Sequence, residues 1–487
     1  MKVGDMVIEL NWQPDLTSKT PVYQQLVNIC VQHIQAGDWP IGAQLPSQRQ
    51  LATQLSLNRS TISKAMTVLL DDGVLTTAFG GGTRVASNSW STMVHQTPVD
   101  WQHYIDAGEF VANQRTIQTI NEIETQAKIR LSTGEIGPDL FPKALMQRAM
   151  RAATDNLTNL NYLAPQGYLP LRQVLAKRLA SWGIETTAEN VLITSGSLQS
   201  LQLVAVSLLA QAATVYTTPV SYLKSLRVLQ SVQAQFKSLP TDGEGLQYWH
   251  IAPSTHQRLL YVIPTFDNPT GQVMSQQRRI DLMKYAQERQ LPIIEDSAYQ
   301  DLWLEQRPPQ PLKALDQAGN VLYLGTISKS LAPGMRIGWI VGPQPIIKRL
   351  ADVKMQTDYG ASSLSQLVLT SVLNDPAYDQ YLMHFRTQLK RRRDHALMVL
   401  TQELGTLASW TTPAGGFYIW LTLPDTVSVQ RLFDSAAEQG ILLNPGSVYG
   451  HGASHQIRLS YAYADEASFS FGIKQLAKLI QAQLSKQ

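Results

Sequence analysis

Residues 325–339, GTISKSLAPGMRIGW, decide the fold of this chain. They continue the apolar, strand-like run NVLYLGT, so Lys329 is expected on a loop just after a buried strand. Ser328 and Arg336 could bind a phosphate there, Arg336 through a bidentate, charge-assisted pair. A lysine beside serines is usually a solvated surface residue, but the composite SKS-LAPG-MRIGW is far more specific. A lysine that forms a Schiff base needs such a rigid, partly desolvated loop with an anion site close by.

The segment resembles the lysine segment of class I/II aminotransferases, the fold-type I enzymes that carry pyridoxal 5'-phosphate. The resemblance implies a Schiff base between this cofactor and Lys329, with Ser328 and Arg336 as cofactor-binding residues. It also implies a carboxylate that keeps the pyridine nitrogen protonated. Asp296 fits, because it follows the buried run LPIIE and so lies at a carboxyl strand end. Tyr299 would donate to the phenolic oxygen of the ring, so Lys329, Asp296 and Tyr299 are the expected catalytic residues.

Further cofactor-binding elements of the same family follow in the expected order. Asn268, in DNPTG, resembles the NPTG element and would be a second donor to the phenolic oxygen, while Tyr222 matches the aromatic residue that stacks on the ring. TSGSLQSLQLVAVSLL supplies a strand end, a glycine turn and a helix start, which suit a phosphate. The expected phosphate cradle is Gly196, Ser197 and Leu198. Leu198 stands where a glutamine is common, and TTP before Tyr222 lacks the usual acidic residue, but neither departure removes a principal group.

Three more residues are assigned by the resemblance. Tyr162, in NYLAPQGYLPLR, resembles the tyrosine that reaches the phosphate from a partner subunit, which implies a two-fold homodimer with shared sites. GGFYIWL (415–421) and IRLSYA (457–462) resemble the C-terminal subdomain, where Arg458 would bind the substrate carboxylate and Gly134 would abut it. Singly, each element has an ordinary structural explanation, but their joint order along the chain predicts the fold and the cofactor.

The first 86 residues have the pattern of three helices and a hairpin. VYQQLVNICVQHIQAG has helical apolar spacing, Ser47 can cap a short helix, and Asn58 or Ser60 can cap a third, STISKAMTVLLDDG. Two strand-like pieces around three glycines follow in VLTTAFGGGTRVA. A support helix, the turn SLN and a second helix predict a helix-turn-helix with a wing. The pattern alone leaves open a three-helix domain with a merely polar face.

This part of the chain closely resembles the GntR family of bacterial winged-helix regulators. Its LPS-x-R-x-LA, R-x-T and G-x-G-T-x-V elements all have counterparts here. The resemblance implies DNA contacts by Arg49, Arg59 and Thr61. Hydroxyls and cations at a helix start also suit phosphate and base-edge contacts, and a wing arginine could reach the backbone or minor groove. The expected DNA-binding residues are therefore Arg49, Arg59, Ser60, Thr61, Lys64 and Arg84.

Length and composition set outer limits on the interpretation. A chain of 487 residues predicts two or more domains, and a net charge of +3 is too small to indicate nucleic-acid binding by itself. No run of about 18 uncharged apolar residues is present, so no membrane span is expected. A single cysteine, Cys30, excludes an internal disulfide framework and a cysteine-based metal cluster, and no metal site is predicted. The N-terminus does not suit a signal peptide, and the cytoplasm is the expected location.

The predicted organisation has three segments. Residues 1–86 form the winged helix-turn-helix DNA-binding domain, and residues 87–128 form a polar linker, part of which can be helical. Residues 129–487 form an α/β fold-type I aminotransferase-like domain, with its large part at about 129–375 and a smaller C-terminal α+β subdomain at about 376–487. This arrangement resembles the MocR subfamily of GntR-family regulators.

The resemblance implies a transcription regulator whose homodimer binds a double-stranded DNA operator. Its body would sense a small amino compound, or the supply of pyridoxal 5'-phosphate, with little turnover. Two alternatives stay open: an active PLP-dependent aminotransferase with a fused DNA-binding head, and a head on a body that serves only as a dimerisation scaffold. Arg458 favours an effector that carries a carboxylate.

Overall fold

The computed structural model describes residues 10–485, apart from positions 11, 16, 19, 36–38, 40–41, 72–73, 79–81, 87–114, 156, 227, 230–231 and 451. The chain divides into two compact units, residues 1–118 and 119–487. Most of the predicted linker lies outside the described residues. Within the described ranges, no helix is long and apolar enough to cross a lipid bilayer, and no group of histidine, cysteine and acidic side chains is arranged to hold a metal ion.

The first unit contains three helices and a hairpin in its described part. These are α1 (Val22–Gln35), α2 (Gln48–Gln54), α3 (Arg59–Asp71), β1 (Leu75–Ala78) and β2 (Gly82–Val85). The two strands pair in antiparallel register, and the tip of the hairpin lies outside the described residues. The apolar face of each helix turns toward one core, because that is where its apolar side chains recur. This core includes Leu26, Ile34, Leu51, Leu55, Ile62, Leu69 and Val85.

Local polar contacts set the start of α2. The hydroxyl of Ser47 accepts from the Gln50 N–H at 3.3 Å, and the Gln50 side chain accepts from the Ser47 N–H at 2.8 Å. This reciprocal capping box satisfies two otherwise unpaired donors. Helix α3 begins at Arg59, so Asn58 precedes its first residue and Ser60 lies inside its first turn. Of the two predicted caps for the third helix, only Asn58 is in position.

The rest of the chain alternates strands and helices. The helices are α4 (Arg115–Glu124), α5 (Lys143–Asp155), α6 (Leu169–Ala180), α7 (Ser197–Leu208), α8 (Gln276–Glu288), α9 (Leu312–Leu315), α10 (Gln344–Thr357), α11 (Ser363–Asn374), α12 (Ala377–Leu404), α13 (Val429–Glu438) and α14 (Glu466–Leu484). The strands are β3 (Ile129–Arg130), β4 (Val191–Thr194), β5 (Thr214–Thr217), β6 (Gln235–Ser238), β7 (Thr241–Asp242), β8 (Gly245–Leu246), β9 (Arg258–Val262), β10 (Ile293–Asp296), β11 (Val321–Thr326), β12 (Gly338–Val341), β13 (Ser409–Trp410), β14 (Tyr418–Thr422), β15 (Ile441–Leu442) and β16 (Gln456–Ser460). The predicted α/β fold is confirmed.

A seven-stranded sheet in the order β4-β12-β11-β10-β9-β5-β6 forms the centre of the second unit. Strand β12 runs antiparallel to its two neighbours, and the other pairs are parallel. Parallel strands need crossover connections, whose helices cover the faces of the sheet and leave the strands as continuous apolar runs. Strand β11 is accordingly buried at all six positions. The carboxyl ends of β9, β10 and β11 meet at one edge, where ligands bind in open α/β sheets.

The two faces of this sheet bury separate cores. Tyr323 packs with α5, α6 and α11 on one face, and its neighbour Leu322 packs with α7 and α10 on the other. Successive strand residues point to opposite faces, so a single apolar run such as VLYL supplies both cores. Helices on both faces hold the strand ends, and the loops that follow them, in fixed positions.

A smaller antiparallel sheet, β13-β14-β16, lies in the C-terminal part with α12, α13 and α14. Strand β3 pairs in parallel with β15, so that Ile129 lies opposite Ile441. The prediction assigned everything from residue 129 to about 375 to the large part. The structure differs here, because the segment at 129–130 joins the C-terminal part. A two-residue strand carries no periodic signal that the sequence could reveal.

Candidate functional site

The loop after β11 carries Lys329 toward the segment that follows β3. Its Nζ donates a hydrogen bond to the Gly134 carbonyl at 2.6 Å. A Cβ at Gly134 would lie 2.6 Å from the Tyr418 hydroxyl and 3.5 Å from the lysine Nζ, so only glycine lets this backbone approach so closely. The structure thus brings together Lys329 and Gly134, which the sequence placed in one site.

Asp296 ends β10 and is 3% exposed. Its carboxylate accepts from the Tyr261 hydroxyl at 2.8 Å and from the Ala298 N–H at 3.2 Å. Burial raises the pKa of Asp296, while these two hydrogen bonds and the charge of Lys329 act in the opposite direction. No basic side chain of the described part forms an ion pair with it. A buried carboxylate in this state is suited to pair with a cation supplied by a ligand.

The predicted phosphate cradle lies at the start of α7. Gly196 precedes the helix with φ +93, and a Cβ there would lie 2.9 Å from Nη2 of Arg336. Arg336 adopts the left-handed conformation with φ 52, and its Nη2 donates to the Ser195 carbonyl at 3.2 Å. The unpaired N–H groups of a helix start and a guanidinium therefore converge on one point, which suits a phosphate. Leu198 is 45% exposed, so any contribution to this cradle comes from its backbone.

Two further residues adjoin this cradle, and one of them was predicted. The Ser328 hydroxyl is buried and accepts a hydrogen bond from the Thr326 hydroxyl at 2.9 Å. The O–H proton of Ser328 is therefore not used in this bond. Gln199, which was not predicted, accepts from the Ser195 N–H at 2.7 Å and donates to Asp358. Its side chain thereby holds the turn before α7.

Arg458, on β16, is 6% exposed and has no carboxylate partner among the described residues. Nη1 donates to Oδ1 of Asn268 at 2.9 Å, and Nη2 donates to the Ser132 carbonyl at 2.8 Å. The guanidinium lies 4.1 Å from the Tyr418 ring centroid and 5.1 Å from that of Tyr449. Its Nε has no partner within the described ranges. A buried, incompletely satisfied guanidinium is suited to bind a carboxylate.

Asn268 links the carboxylate-binding and ring-binding regions. Its Oδ1 is taken by Arg458, so its amide N–H groups remain for the predicted bond to the ring oxygen. Its carbonyl accepts from the Tyr222 N–H at 3.0 Å, which fixes the backbone of the predicted stacking residue. Burial, and next the negative charge of Asp296, raise the pKa of Tyr222 to about 12. Tyr222 is therefore a neutral aromatic group at the edge of the predicted ring site.

Another tyrosine, Tyr418, also lies in this site but was not predicted from the sequence. Tyr299 donates to its hydroxyl at 2.9 Å. Burial opposes ionisation of Tyr418, but Arg458, Lys329 and the bond from Tyr299 outweigh it and lower the pKa of Tyr418. In the sequence, this residue appeared only as part of GGFYIWL and gave no sign of a polar role. The phenol pair lies between the predicted lysine and the predicted carboxylate-binding arginine.

Tyr162 lies away from these groups and is 81% exposed. Its ring centroid is 5.2 Å from that of Tyr359, which is also exposed. The role expected of Tyr162 requires a second subunit, so it stays a prediction.

The last residue of α4 also comes close to this site. The Thr133 hydroxyl donates to Oε1 of Glu124 at 2.9 Å. Thr133 is buried and stands between Ser132 and Gly134, whose carbonyls contact Arg458 and Lys329. Nothing in the stretch NEIETQAKI singled out Glu124, because the contact depends on tertiary structure.

The predicted DNA-binding side chains lie on α2, α3 and β2. Arg49, Arg59 and Ser60 are exposed, and Thr61 is half-buried in the first turn of α3. Lys64 is exposed, and its Nζ lies 4.0 Å from the Tyr23 ring centroid.

Arg84 differs from the other predicted DNA contacts because its guanidinium already makes bonds within the unit. Nη1 donates to the Gly42 carbonyl at 2.8 Å and Nη2 to Oε1 of Gln44 at 3.3 Å. These bonds attach the wing to the loop before α2. A contact of Arg84 with DNA stays a prediction.

Two family profiles match this chain. Aminotransferase class I and II matches residues 126–472, and the gntR family of bacterial regulatory proteins matches residues 22–85. Among curated relatives, the HTH-type transcriptional regulator YisV of Bacillus subtilis (strain 168) is 43% identical over 471 residues, covering 96% of this chain and 97% of the relative. The HTH-type transcriptional regulator NorG of Staphylococcus aureus (strain bovine RF122 / ET3-1) is 35% identical and covers 86% and 95%.

Solved aminotransferases share the fold of the second unit. Kynurenine aminotransferase of Pyrococcus horikoshii, in complex with PMP, has a TM-score of 0.72 and 30% identity, covering 77% of this chain and 96% of that one. The α-aminoadipate aminotransferase LysN of Thermus thermophilus, complexed with N-(5'-phosphopyridoxyl)-L-leucine, has a TM-score of 0.72 and 27% identity, covering 80% and 100%.

Proposed function

Since this chain belongs to the MocR-type transcription regulators, which join a gntR-family head to a body of aminotransferase class I and II, we propose that its body holds pyridoxal 5'-phosphate on Lys329 and senses an amino compound. In this proposal a two-fold homodimer binds an operator on double-stranded DNA. Binding to chromosomal DNA would place the protein in the cytoplasm.

One observation carries the proposal: Asp296 ends β10, the Lys329 loop follows β11, and the Gly196–Arg336 cradle follows β4, so all three lie at the carboxyl edge of one sheet. Each matches a different part of the cofactor. The lysine amine suits the aldehyde, the buried carboxylate suits a protonated pyridine nitrogen, and the helix start with its guanidinium suits the phosphate. Bound pyridoxal phosphate supplies an electrophilic carbon and an electron-withdrawing ring. The residues present therefore fit this group.

The remaining groups of the site would orient the effector. Arg458 would bind an α-carboxylate in the plane of its guanidinium, through its unsatisfied Nε–H and the remaining Nη N–H groups, while the rings of Tyr418 and Tyr449 lie against the guanidinium. Lys329 would hold or release a proton at the effector amine, and Gly134 would leave room for the effector Cα. On cofactor binding, the Tyr299 hydroxyl, which donates to Tyr418 in this structure, would turn to donate to the cofactor ring oxygen and would exclude water from that side.

Regulation requires that the effector bind two shapes of the dimer with different affinity. About 1.4 kcal/mol of differential binding would give a tenfold bias between a DNA-binding and a non-binding arrangement. Helix α4 runs through the point at which the chain divides into its two units, and its last residue contacts the site loop. We propose that this helix carries the change toward the linker.

The second candidate is a working aminotransferase with a DNA-binding head. It is favoured by the complete set of Lys329, Asp296, Tyr299 and Arg458, which would suffice to bind an amino acid and to move a proton at its Cα. The two candidates differ in turnover and share the same cofactor site.

One preparation with three measurements tests the proposal. The purified dimer should absorb as a protonated imine, and Lys329→Ala should abolish this band, whereas Lys348→Ala, an exposed lysine on α10, should keep it. A mobility shift on upstream DNA should weaken as salt rises. Keto-acid formation from a panel of amino acids should be slow or absent; rapid multiple turnover would favour the aminotransferase instead.

A further inference from the structure

Residues 132–134 form a short strip that touches both cations of the proposed effector site. The Ser132 carbonyl accepts from Nη2 of Arg458 at 2.8 Å, and the Gly134 carbonyl accepts from Nζ of Lys329 at 2.6 Å. The proposed carboxylate-binding and amine-binding groups are therefore held by backbone atoms two residues apart. Whatever contacts the middle residue of this strip lies close to a bound effector.

That middle residue, Thr133, is buried and donates to Oε1 of Glu124 at 2.9 Å. The Glu124 carboxylate makes no ion pair with any lysine, arginine or histidine that the structure describes. Its negative charge acts to raise the pKa of Tyr418, whereas the positive charges of Arg458 and Lys329 lower that pKa. A half-buried carboxylate thus adjoins the site without a cation of its own.

The position of Glu124 in its helix makes this arrangement unfavourable unless a ligand compensates it. It is the last residue of α4, at the negative end of the helix dipole, where a carboxylate is disfavoured. A cation at this point would relieve the unfavourable interaction with the helix end and would neutralise a partly desolvated charge.

We propose that Glu124 selects effectors with a second, distal cationic group, so that the ligand class is the basic α-amino acids. This inference rests on the proposed function, because it needs the α-carboxylate at Arg458 and the α-amine at the Lys329 cofactor. With both ends of the amino acid fixed there, the side chain is the part left to meet the carboxylate of Glu124. Neutral amino acids would leave that carboxylate without a cation, and acidic ones would place a second negative charge beside it.

The test is a titration of the cofactor-loaded, full-length protein with amino acids of matched length, followed by cofactor absorbance and by mobility shift on operator DNA. The basic ligands are 2,4-diaminobutyrate, ornithine and lysine, their neutral counterparts are 2-aminobutyrate, norvaline and norleucine, and glutamate is the acidic one. We expect at least one basic ligand to bind about tenfold or more tightly than its neutral counterpart, because a charge-assisted bond to a partly buried carboxylate contributes that much.

The decisive variant is Glu124→Gln, which keeps an oxygen to accept from Thr133 and removes the charge. It should abolish the preference for the basic ligand, leave the neutral ligands within about twofold of the original, and bind glutamate more tightly. Glu122→Gln removes a charge from an exposed position on the same helix and should preserve the preference. A merely structural role for Glu124 would change the affinity of all ligands alike.

The outcomes separate the inference from its premise. A protein that takes up no cofactor overturns the proposed function itself. A cofactor-loaded protein that binds neutral and basic amino acids equally, that responds to none of them, or that keeps its preference in Glu124→Gln overturns the selection by Glu124.

Discussion

Arg59 in the head and Arg458 in the body show two different ways in which a chain prepares a binding cation. Arg59 is exposed at the start of α3, so water solvates its guanidinium in the absence of DNA. Arg458 is buried against two tyrosine rings, and only its two Nη nitrogens donate, one to an amide oxygen and one to a carbonyl. A buried cation without an anion is costly, so its persistence indicates a specific ligand, whereas an exposed one carries no such information.

The two regions also differ in whether their predicted binding residues contact one another. In the body, several predicted residues contact one another, as Lys329 does with Gly134 and Arg458 with Asn268, so their mutual distances describe a candidate site. In the head, the predicted residues face outward and contact each other little, and only DNA can bring them into one surface. Body variants should therefore alter cofactor and effector binding with DNA affinity preserved in the absence of effector, and head variants should do the reverse.

The largest effect expected in the body is that of Asp296→Asn. The substitution keeps the shape but removes the charge that pairs with a protonated ring nitrogen, and we expect cofactor affinity to fall about tenfold to a hundredfold. Cofactor affinity can be measured by equilibrium titration of stripped protein. Asp352→Asn, at an exposed position on α10, serves as the control and should leave it unchanged. Equal affinity in the two variants would contradict the role of Asp296.

Arg458→Lys should weaken the binding of the effector carboxylate. A lysine keeps the charge but loses the planar fork that holds Asn268 and a carboxylate together, and effector affinity should fall about tenfold. Cofactor uptake should change much less, and Arg431→Lys, an exposed arginine of α13, should change neither. A loss of cofactor with no further loss of effector affinity would move Arg458 out of the effector site.

Sequence patterns predicted many residues of the proposed body site because these residues belong to recognisable runs. Asp296 and Lys329 each follow an apolar stretch that could only be a buried strand, and the sheet then brings those strand ends together. Tyr261 and Tyr418 were missed because their hydroxyls meet the site through hydrogen bonds between residues far apart in sequence. Such partners have no local signature. The pairing of β3 with β15 was missed for the same reason.

The fold of the head was predicted as well as the fold of the body. Its DNA-facing surface was predicted less completely than the site in the body. The capping residue of α2 follows from a local rule and is confirmed. The bonds of Arg84 to Gly42 and Gln44 depend on how the wing meets a preceding loop, which no local pattern describes. A motif can therefore name an arginine without revealing which of its donors are already used.

Arg59→Ala tests the head side of the comparison. Removing one phosphate or base contact should weaken operator binding about tenfold at moderate salt and reduce the slope of log affinity against log salt by up to about one. The absorbance of bound cofactor should not change. Mobility shifts at several salt concentrations measure both quantities, with Lys474→Ala on the exposed face of α14 as the control. An unchanged salt slope and affinity would remove Arg59 from the DNA surface.

The smallest expected effect is a pH dependence that belongs to the body alone. Burial raises the pKa of Asp267 to about 7, although hydrogen bonds from Thr270 act against the rise. Because the folded state holds this proton more tightly than the unfolded chain does, the contribution of Asp267 to stability is present at low pH. It is lost as the pH rises from about 4 through about 7.

Cofactor-free protein should therefore lose about 1 kcal/mol of its free energy of unfolding between pH 6 and pH 7 through this group. In Asp267→Asn that loss should disappear, which denaturant titrations at the two pH values can measure. A variant that loses as much stability as the original protein would assign the pH dependence to another group.

The most direct test of the central claim is to reduce the purified protein with borohydride and to locate the pyridoxyl group by peptide mass spectrometry. We predict a single modified peptide, with the group on Lys329. No pyridoxyl peptide at all, or the group on another lysine with Lys329 intact, would contradict the assignment of the cofactor to this loop.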